Sequence, residues 1–240
     1  MMKKVNILRM DKHGTKKMED WVVEEKNIRI FLNDNFVDEI SCIPKDVEYL
    51  VLGHLYCKGL VDSKIEMKTR FPTMKVKLSN NAPKIKDKTH ELPSIKSIID
   101  VETISKAMET LLRSSELFLK TGGCHMAGIF DLERKKYDYL CEDVSRRSAV
   151  EKCIGYVVSN SNENRAYALL LTGRVNGEIV QHCAQAGIAV VITKAAVSDE
   201  AIEKSKENHI TLIGFAREKR ANVYSNFERI NFENSCEEPF

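Results

Sequence analysis

The chain contains no Cys-x-x-Cys pair and no His-x-Glu matched with Pro-Cys-x-x-Cys, so neither a zinc ribbon nor a zinc deaminase centre is supported. It has no G-x-x-x-x-G-K-[ST] or G-x-G-x-x-G phosphate loop and no G-x-S-x-G elbow, which removes the usual sequence marks of P-loop, dinucleotide-binding and serine-hydrolase chemistry. Charge of one sign is scarce in net terms: 37 Lys and Arg stand against 35 Asp and Glu, a formal charge of +2. A protein that coats nucleic acid needs a strong cation excess, so nucleic acid is not an expected partner and any anion site must be a local cluster. No apolar run reaches the ~18 residues of a spanning helix, and with 30% charged residues a membrane partner is not expected either. The segment from Met1 to Asp11 has cations but no continuous apolar stretch and no small-residue cleavage site, and it reads as a charged tail rather than a signal peptide. The seven cysteines are odd in number and widely spaced, which points to a reducing, cytoplasmic setting.

What is present is 240 residues with 43% hydrophobic content, enough for one large domain with a modest appendage and a sizeable core. Residues 1–20 and 231–240 are charged and aperiodic and are expected to be loose tails. Between them, 21–78 reads as a small α+β part. Ile28–Leu32 and Phe36–Ser41 flank an Asn/Asp turn, a helix opened by Pro44 runs to about Lys58, and short strands follow near 63–68 and 72–78. Residues 79–101 are polar, cationic and broken by Pro83, and read as a long flexible loop. The rest, 102–230, is more regular. A helix is expected over about 102–118, then a hairpin (125–131 with 137–142) and a helix over 145–158. Apolar strands at 166–171, 188–193 and 210–215 alternate with helices ending at Gly187 and Asn208, the second capped by Ser198. Strands apolar throughout and joined by helices make a parallel sheet covered on both faces, so the fold class is α/β.

Ligands of open parallel sheets bind beyond the carboxyl ends of the strands. Those ends here are Thr172-Gly173-Arg174, Thr193-Lys194 and Phe215-Ala216-Arg217-Glu218-Lys219-Arg220, each carrying a cation. The cations are either an anion site or the ordinary content of surface loops. Arg146 and Arg147 stand at the start of a helix after Glu142-Asp143, where a positive charge is unfavourable by roughly 0.3–1 kcal/mol. Asp143 offsets this as a cap, a docked anion reverses it, or the pair faces solvent. Gly122-Gly123 allows close backbone approach or is simply a turn. His125 is a ligand contact, a general acid or base, or a satisfied strand-start histidine.

Several of these motifs recur in one order: Thr121-Gly122-Gly123-Cys124-His125, Glu142-Asp143-Val144-Ser145-Arg146, Lys152, Gly173-Arg174, and Gly214-Phe215-Ala216-Arg217 with Asn222-Val223-Tyr224. In that register the chain resembles the formate dehydrogenase accessory protein family, FdhD, over about residues 22–230. Ile43-Pro44-Lys45-Asp46, Leu52-Gly53-His54-Leu55 and Lys58-Gly59-Leu60-Val61 add to the likeness. The resemblance implies a cytidine-deaminase-like mixed sheet without zinc, and a homodimer with a guanine-nucleotide pocket. It implies a sulfur carrier that takes persulfide sulfur from a cysteine desulfurase. The sulfur passes to the molybdenum or tungsten bis(molybdopterin guanine dinucleotide) cofactor for formate dehydrogenase. The cofactor-binding stretch then corresponds to Phe215, Ala216, Arg217, Glu218, Lys219 and Arg220. Gly122, Gly123, His125, Asp143, Arg146, Gly173 and Arg174 complete the expected pocket; no metal ligand and no catalytic residue is assigned. One departure bears on function. The family's Cys-containing loop corresponds to Ser79–Leu92, which holds no cysteine, and only a thiolate carries a persulfide. The alternative is therefore a non-catalytic module that binds the guanine nucleotide or cofactor and has lost sulfur transfer. Cys124, beside His125, is a candidate replacement if a neighbouring imidazolium lowers its pKa.

Overall fold

A computed structural model describes residues 1–61, 66–77, 99–160 and 165–231. The expected loop at 79–101, apart from its last residues, and the expected tail at 231–240, apart from its first, lie outside them, as does Cys236.

The centre is a six-stranded sheet in the order β12-β11-β10-β9-β7-β8. Its strands are β7 (His125–Asp131), β8 (Lys136–Asp143), β9 (Tyr167–Leu171), β10 (Val190–Thr193), β11 (Thr211–Arg217) and β12 (Arg220–Val223). β9, β10 and β11 are parallel, while β7, β8 and β12 run antiparallel to their neighbours. Side chains alternate between two cores, as a sheet covered on both faces requires. Leu169, Leu171, Val191 and Leu212 face a core shared with α4 (Arg146–Ser159), α5 (Gly177–Gln185) and α6 (Asp199–Glu207). Ala168, Leu170, Ile192 and Ile213 face the other, under α2 (Val101–Arg113). This is the α/β fold that the strand pattern implies, with a mixed sheet covered by helices on both faces.

A smaller sheet, β4-β3-β6-β5, comprises β3 (Lys26–Leu32), β4 (Asn35–Cys42), β5 (Glu66–Arg70) and β6 (Thr73–Lys77). Helix α1 (Val47–Cys57) joins it to the main domain. A Cβ on Gly53 of α1 would fall 1.9 Å from the Glu151 carbonyl oxygen, and one on Gly155 of α4 would fall 1.9 Å from the Tyr49 oxygen. The two helices thus meet backbone to backbone through paired glycines. One continuous core runs from Ile28, Ile30 and Met74 through Leu50 and Ile154 to Leu169.

Three expectations are corrected. Residues 1–20 are not a loose tail: β1 (Met2–Asp11) and β2 (Gly14–Val23) pair along their whole length. Half-buried Val5, Ile7 and Met18 alternate with exposed positions, and ion pairs such as Lys4–Glu19 at 2.8 Å join the strands, so the charge that suggested a tail belongs to a hairpin. The helix expected over 102–118 is two. The first ends at Arg113, and Ser115 caps α3 (Glu116–Thr121) by accepting from the Phe118 N–H. The first helix of the small part begins at Val47 after Asp46, later than Pro44.

Candidate functional site

The expected site residues share one edge of the main sheet. β9, β10 and β11 end there at Leu171, Thr193 and Arg217. His125, the first residue of antiparallel β7, pairs with Asp143, the last of β8, so the start of one strand and the end of the other reach the same edge. Ala127 lies opposite Leu171, which sets β7 in register with β9. From β7 to β11 this rim spans roughly 14 Å at an interstrand spacing of about 4.8 Å.

Hydrogen bonds knit the strand ends together. Thr172 donates its N–H to the Met126 oxygen (3.0 Å) and its hydroxyl accepts from the Met126 N–H (3.1 Å). Thr193, fully buried, donates its hydroxyl to the Gly173 oxygen (2.6 Å) and accepts from the Ala195 N–H (3.0 Å). Phe215 donates its N–H to the Ala195 oxygen (3.0 Å). A Cβ on Gly173 would lie 2.8 Å from the Arg146 Cβ and 3.4 Å from the His125 Nδ1, so Gly173, Arg146 and His125 converge. Thr193 enters the sequence reading only as a strand end. Its signal is a hydroxyl closing an apolar strand, where it can bond the neighbouring turn.

Gly122 holds φ 64 at the end of α3, and Gly123 packs against Val23. Arg174, Arg217, Glu218, Lys219 and Arg220 are exposed, Phe215 is half-buried and Ala216 is buried. The turn from β11 to β12 places Glu218 and Lys219 at φ 53 and 61, and Phe215 sits at φ 50 beside a register shift in the β11–β12 ladder. A bulky residue in the left-handed region is an outlier of the kind that gathers at functional sites.

Electrostatics separates this edge from the rest of the surface. Among the described residues, Arg146, Arg174, Arg217 and Arg220 have no carboxylate partner, while every other arginine with a described side chain is ion-paired. Arg147, which sequence groups with Arg146, belongs to the paired set: it holds Glu151 at 3.0 Å and Glu178 at 2.9 Å. Unpaired guanidiniums gathered at strand ends suit phosphate or carboxylate, which they bind with charge-assisted hydrogen bonds. Burial first, then the Arg146 charge, holds the His125 imidazole below its ordinary range.

Two residues behave otherwise than expected. Asp143 is not the cap of α4; Ser145 is, accepting from the Arg147 N–H at 3.2 Å. The Asp143 carboxylate points inward to Lys152 at 2.7 Å, and both side chains are essentially inaccessible. Cys124 has no lowered pKa: burial and then the Glu142 carboxylate push its thiol up to about 12, and His125 beside it is shifted toward the neutral form. Cys42, Cys141, Cys153 and Cys183 are buried as well, and Cys57 is half-buried with its thiol raised mainly by burial. Among the described residues, no group of three or more His, Cys, Asp or Glu is placed to hold a metal ion, and no helix is long and apolar enough to cross a membrane.

A six-stranded mixed sheet packed between helices, with a rim of unpaired arginines at its strand ends, defines an α/β protein with one candidate site. The family model described as FdhD/NarQ matches residues 71–231. Protein FdhD of Methanocaldococcus jannaschii is 30% identical over 231 residues, covering 94% of this chain and 97% of the relative. The sulfur carrier protein FdhD of Bacillus licheniformis is 28% identical over 255 residues, covering 94% and 96%. A solved structure from Desulfotalea psychrophila, assigned as a formate dehydrogenase accessory protein, superposes with a TM-score of 0.81 at 26% identity over 96% of this chain and 99% of that one. The chain belongs to the FdhD/NarQ family.

Proposed function

We propose that this chain serves formate dehydrogenase maturation by holding the guanine-nucleotide end of the molybdenum or tungsten bis(molybdopterin guanine dinucleotide) cofactor. The observation that carries this reading is the set of unpaired arginines, Arg146, Arg174, Arg217 and Arg220, at one sheet edge. Their donors suit the diphosphate, and Gly122, Gly123 and Gly173 add little side-chain bulk at the edge. The cofactor is cargo in this reading, formate dehydrogenase the client and a homodimer the working form.

Calorimetric titration with guanosine diphosphate tests it. The wild-type chain binds, and Arg217→Ala and Arg220→Ala each weaken binding by roughly tenfold or more, the scale of a lost charge-assisted hydrogen bond. Unchanged affinity in both variants removes the site from this edge.

Sulfur transfer is the finer question. Relatives are named sulfur carriers, yet the sequence has no cysteine between Cys57 and Cys124, and the described cysteines are buried or half-buried. The likeness to sulfur carriers supports the carrier reading, and the missing loop cysteine makes a binding module that does not itself move sulfur the second reading. Incubation with a cysteine desulfurase and cysteine, followed by intact mass, decides: a gain of roughly 32 Da per sulfur on any cysteine upholds the carrier reading.

A further inference from the structure

Resting on the nucleotide cradle just proposed, the geometry points to Asp143 and Lys152 as a buried positioning pair that sets Arg146 for its anion, without either residue touching the ligand. Lys152 Nζ lies 2.7 Å from Asp143 Oδ2, with 1% and 0% side-chain exposure. Around this pair the backbones of three segments are tied. Lys152 donates to the Ile43 oxygen (3.1 Å) and the Glu142 oxygen (3.3 Å), and Asp143 Oδ1 accepts from the N–H groups of Ile43 (3.4 Å) and Ser145 (3.5 Å). Ile43 follows β4 of the small sheet, Glu142 is the last residue but one of β8, and Ser145 caps the helix whose first residue is Arg146. The pair is thus the pin through which the small N-terminal part, the sheet edge and the start of α4 are held in one register.

Burying two charges is costly, and a buried pair is often no more stabilising than apolar residues of similar size. What such a pair does well is fix one arrangement, because any displacement strands a charge away from water. The group it fixes here that aims Arg146 is Ser145, the cap that begins the helix on which Arg146 is the first residue; the Gly173 backbone against which the arginine packs is held separately, by Thr193. Arg217 lies on β11, three strands away from β7 in the sheet order, and shares no bond with the pin.

A double-mutant cycle separates positioning from general destabilisation. Guanosine diphosphate affinity is measured for wild type, Asp143→Asn, Arg146→Ala and the double variant, with Arg217→Ala alone and combined with Asp143→Asn as reference. Circular dichroism confirms that each variant is folded at the titration temperature. Arg146→Ala is expected to cost roughly tenfold in the wild-type background and less than about twofold in Asp143→Asn, whereas the Arg217→Ala loss stays the same in both. If Asp143→Asn does not fold, Lys152→Gln takes its place in the cycle, since it removes the other half of the same buried pair. Equal losses from Arg146→Ala in both backgrounds overturn the positioning role while the cradle stands. A wild-type chain that does not bind guanosine diphosphate overturns the cradle and, with it, this role.

Discussion

Gly173 lies against Arg146 so closely that a methyl group in place of its hydrogen would meet the arginine Cβ at 2.8 Å and its Cδ at 3.1 Å. The glycine is buried on the strand-end turn, with its carbonyl held by Thr193. Gly173→Ala is therefore expected to displace Arg146 and weaken guanosine diphosphate binding by roughly tenfold, the value of one charge-assisted contact. Titration calorimetry checks this, and a melting temperature close to wild type shows that the loss is local. Undiminished affinity would mean that Arg146 is not among the ligand's contacts.

A different glycine pair controls stability. The Glu151 and Tyr49 carbonyl oxygens occupy the places that side chains on Gly53 and Gly155 would take. Because these obstacles are backbone, no rotamer change relieves them. Gly155→Ala should lower the unfolding free energy by about 3 kcal/mol, at the upper end of overpacking effects. Urea denaturation followed by far-UV circular dichroism measures it; a midpoint within error of wild type would show that α1 and α4 can separate at little cost.

Acid should destabilise the protein through two imidazoles. Burial and Arg146 hold His125 down from the ordinary 6.5. Burial also lowers His182, with Glu178 and Glu151 opposing. When the folded value is the lower one, the unfolded chain takes up more protons. The stabilising contribution is complete above about 6.5 and is lost as pH falls toward the folded values. Unfolding free energy measured from about pH 7.5 down to about pH 5.5 should decline, and His125→Asn should flatten part of that decline. A profile level across this window contradicts the burial of these rings as charge-excluding.

Thiol reagents should find Cys42 and Cys124 slow in the native protein. Burial, and secondarily Asp143, raises Cys42 to about 11, and burial with Glu142 raises Cys124 to about 12, so almost no thiolate is present at neutral pH. Labelling at about pH 7.5 with a maleimide, followed by peptide mapping, should leave both unmodified until denaturant is added. Glu142→Gln, which removes the adjacent charge, should speed Cys124 labelling. Rapid labelling of native Cys124 would reopen it as a reactive group.

The parallel strands and the rim were legible because each is local. Runs such as Ala168-Leu169-Leu170-Leu171 are apolar at every position, and in a parallel sheet the residues after each strand must arrive at one edge. The β1–β2 hairpin was opaque for the opposite reason. Its strands carry few core residues, and its charges find partners only across the ladder, which chain order does not display. The break between α2 and α3 had a local mark, Ser115 before Glu116, that the apolar period of the surrounding residues obscured. The inward turn of Asp143 has no such mark. Lys152 lies two helical turns further along, and Ile43 lies 100 residues earlier in the chain, so only tertiary structure brings the three together.

The single tryptophan, Trp21, sits on β2 with the Lys4 ammonium 5.5 Å from its ring centroid, in a recess shared with Met1, Leu117 and Glu142. Indole emission from this protein consequently monitors the seam between the hairpin and α3, beside the end of β8. A fluorescence melt records when that seam opens, whereas ellipticity records the helices, and a gap between the two midpoints measures how loosely the arm is fastened.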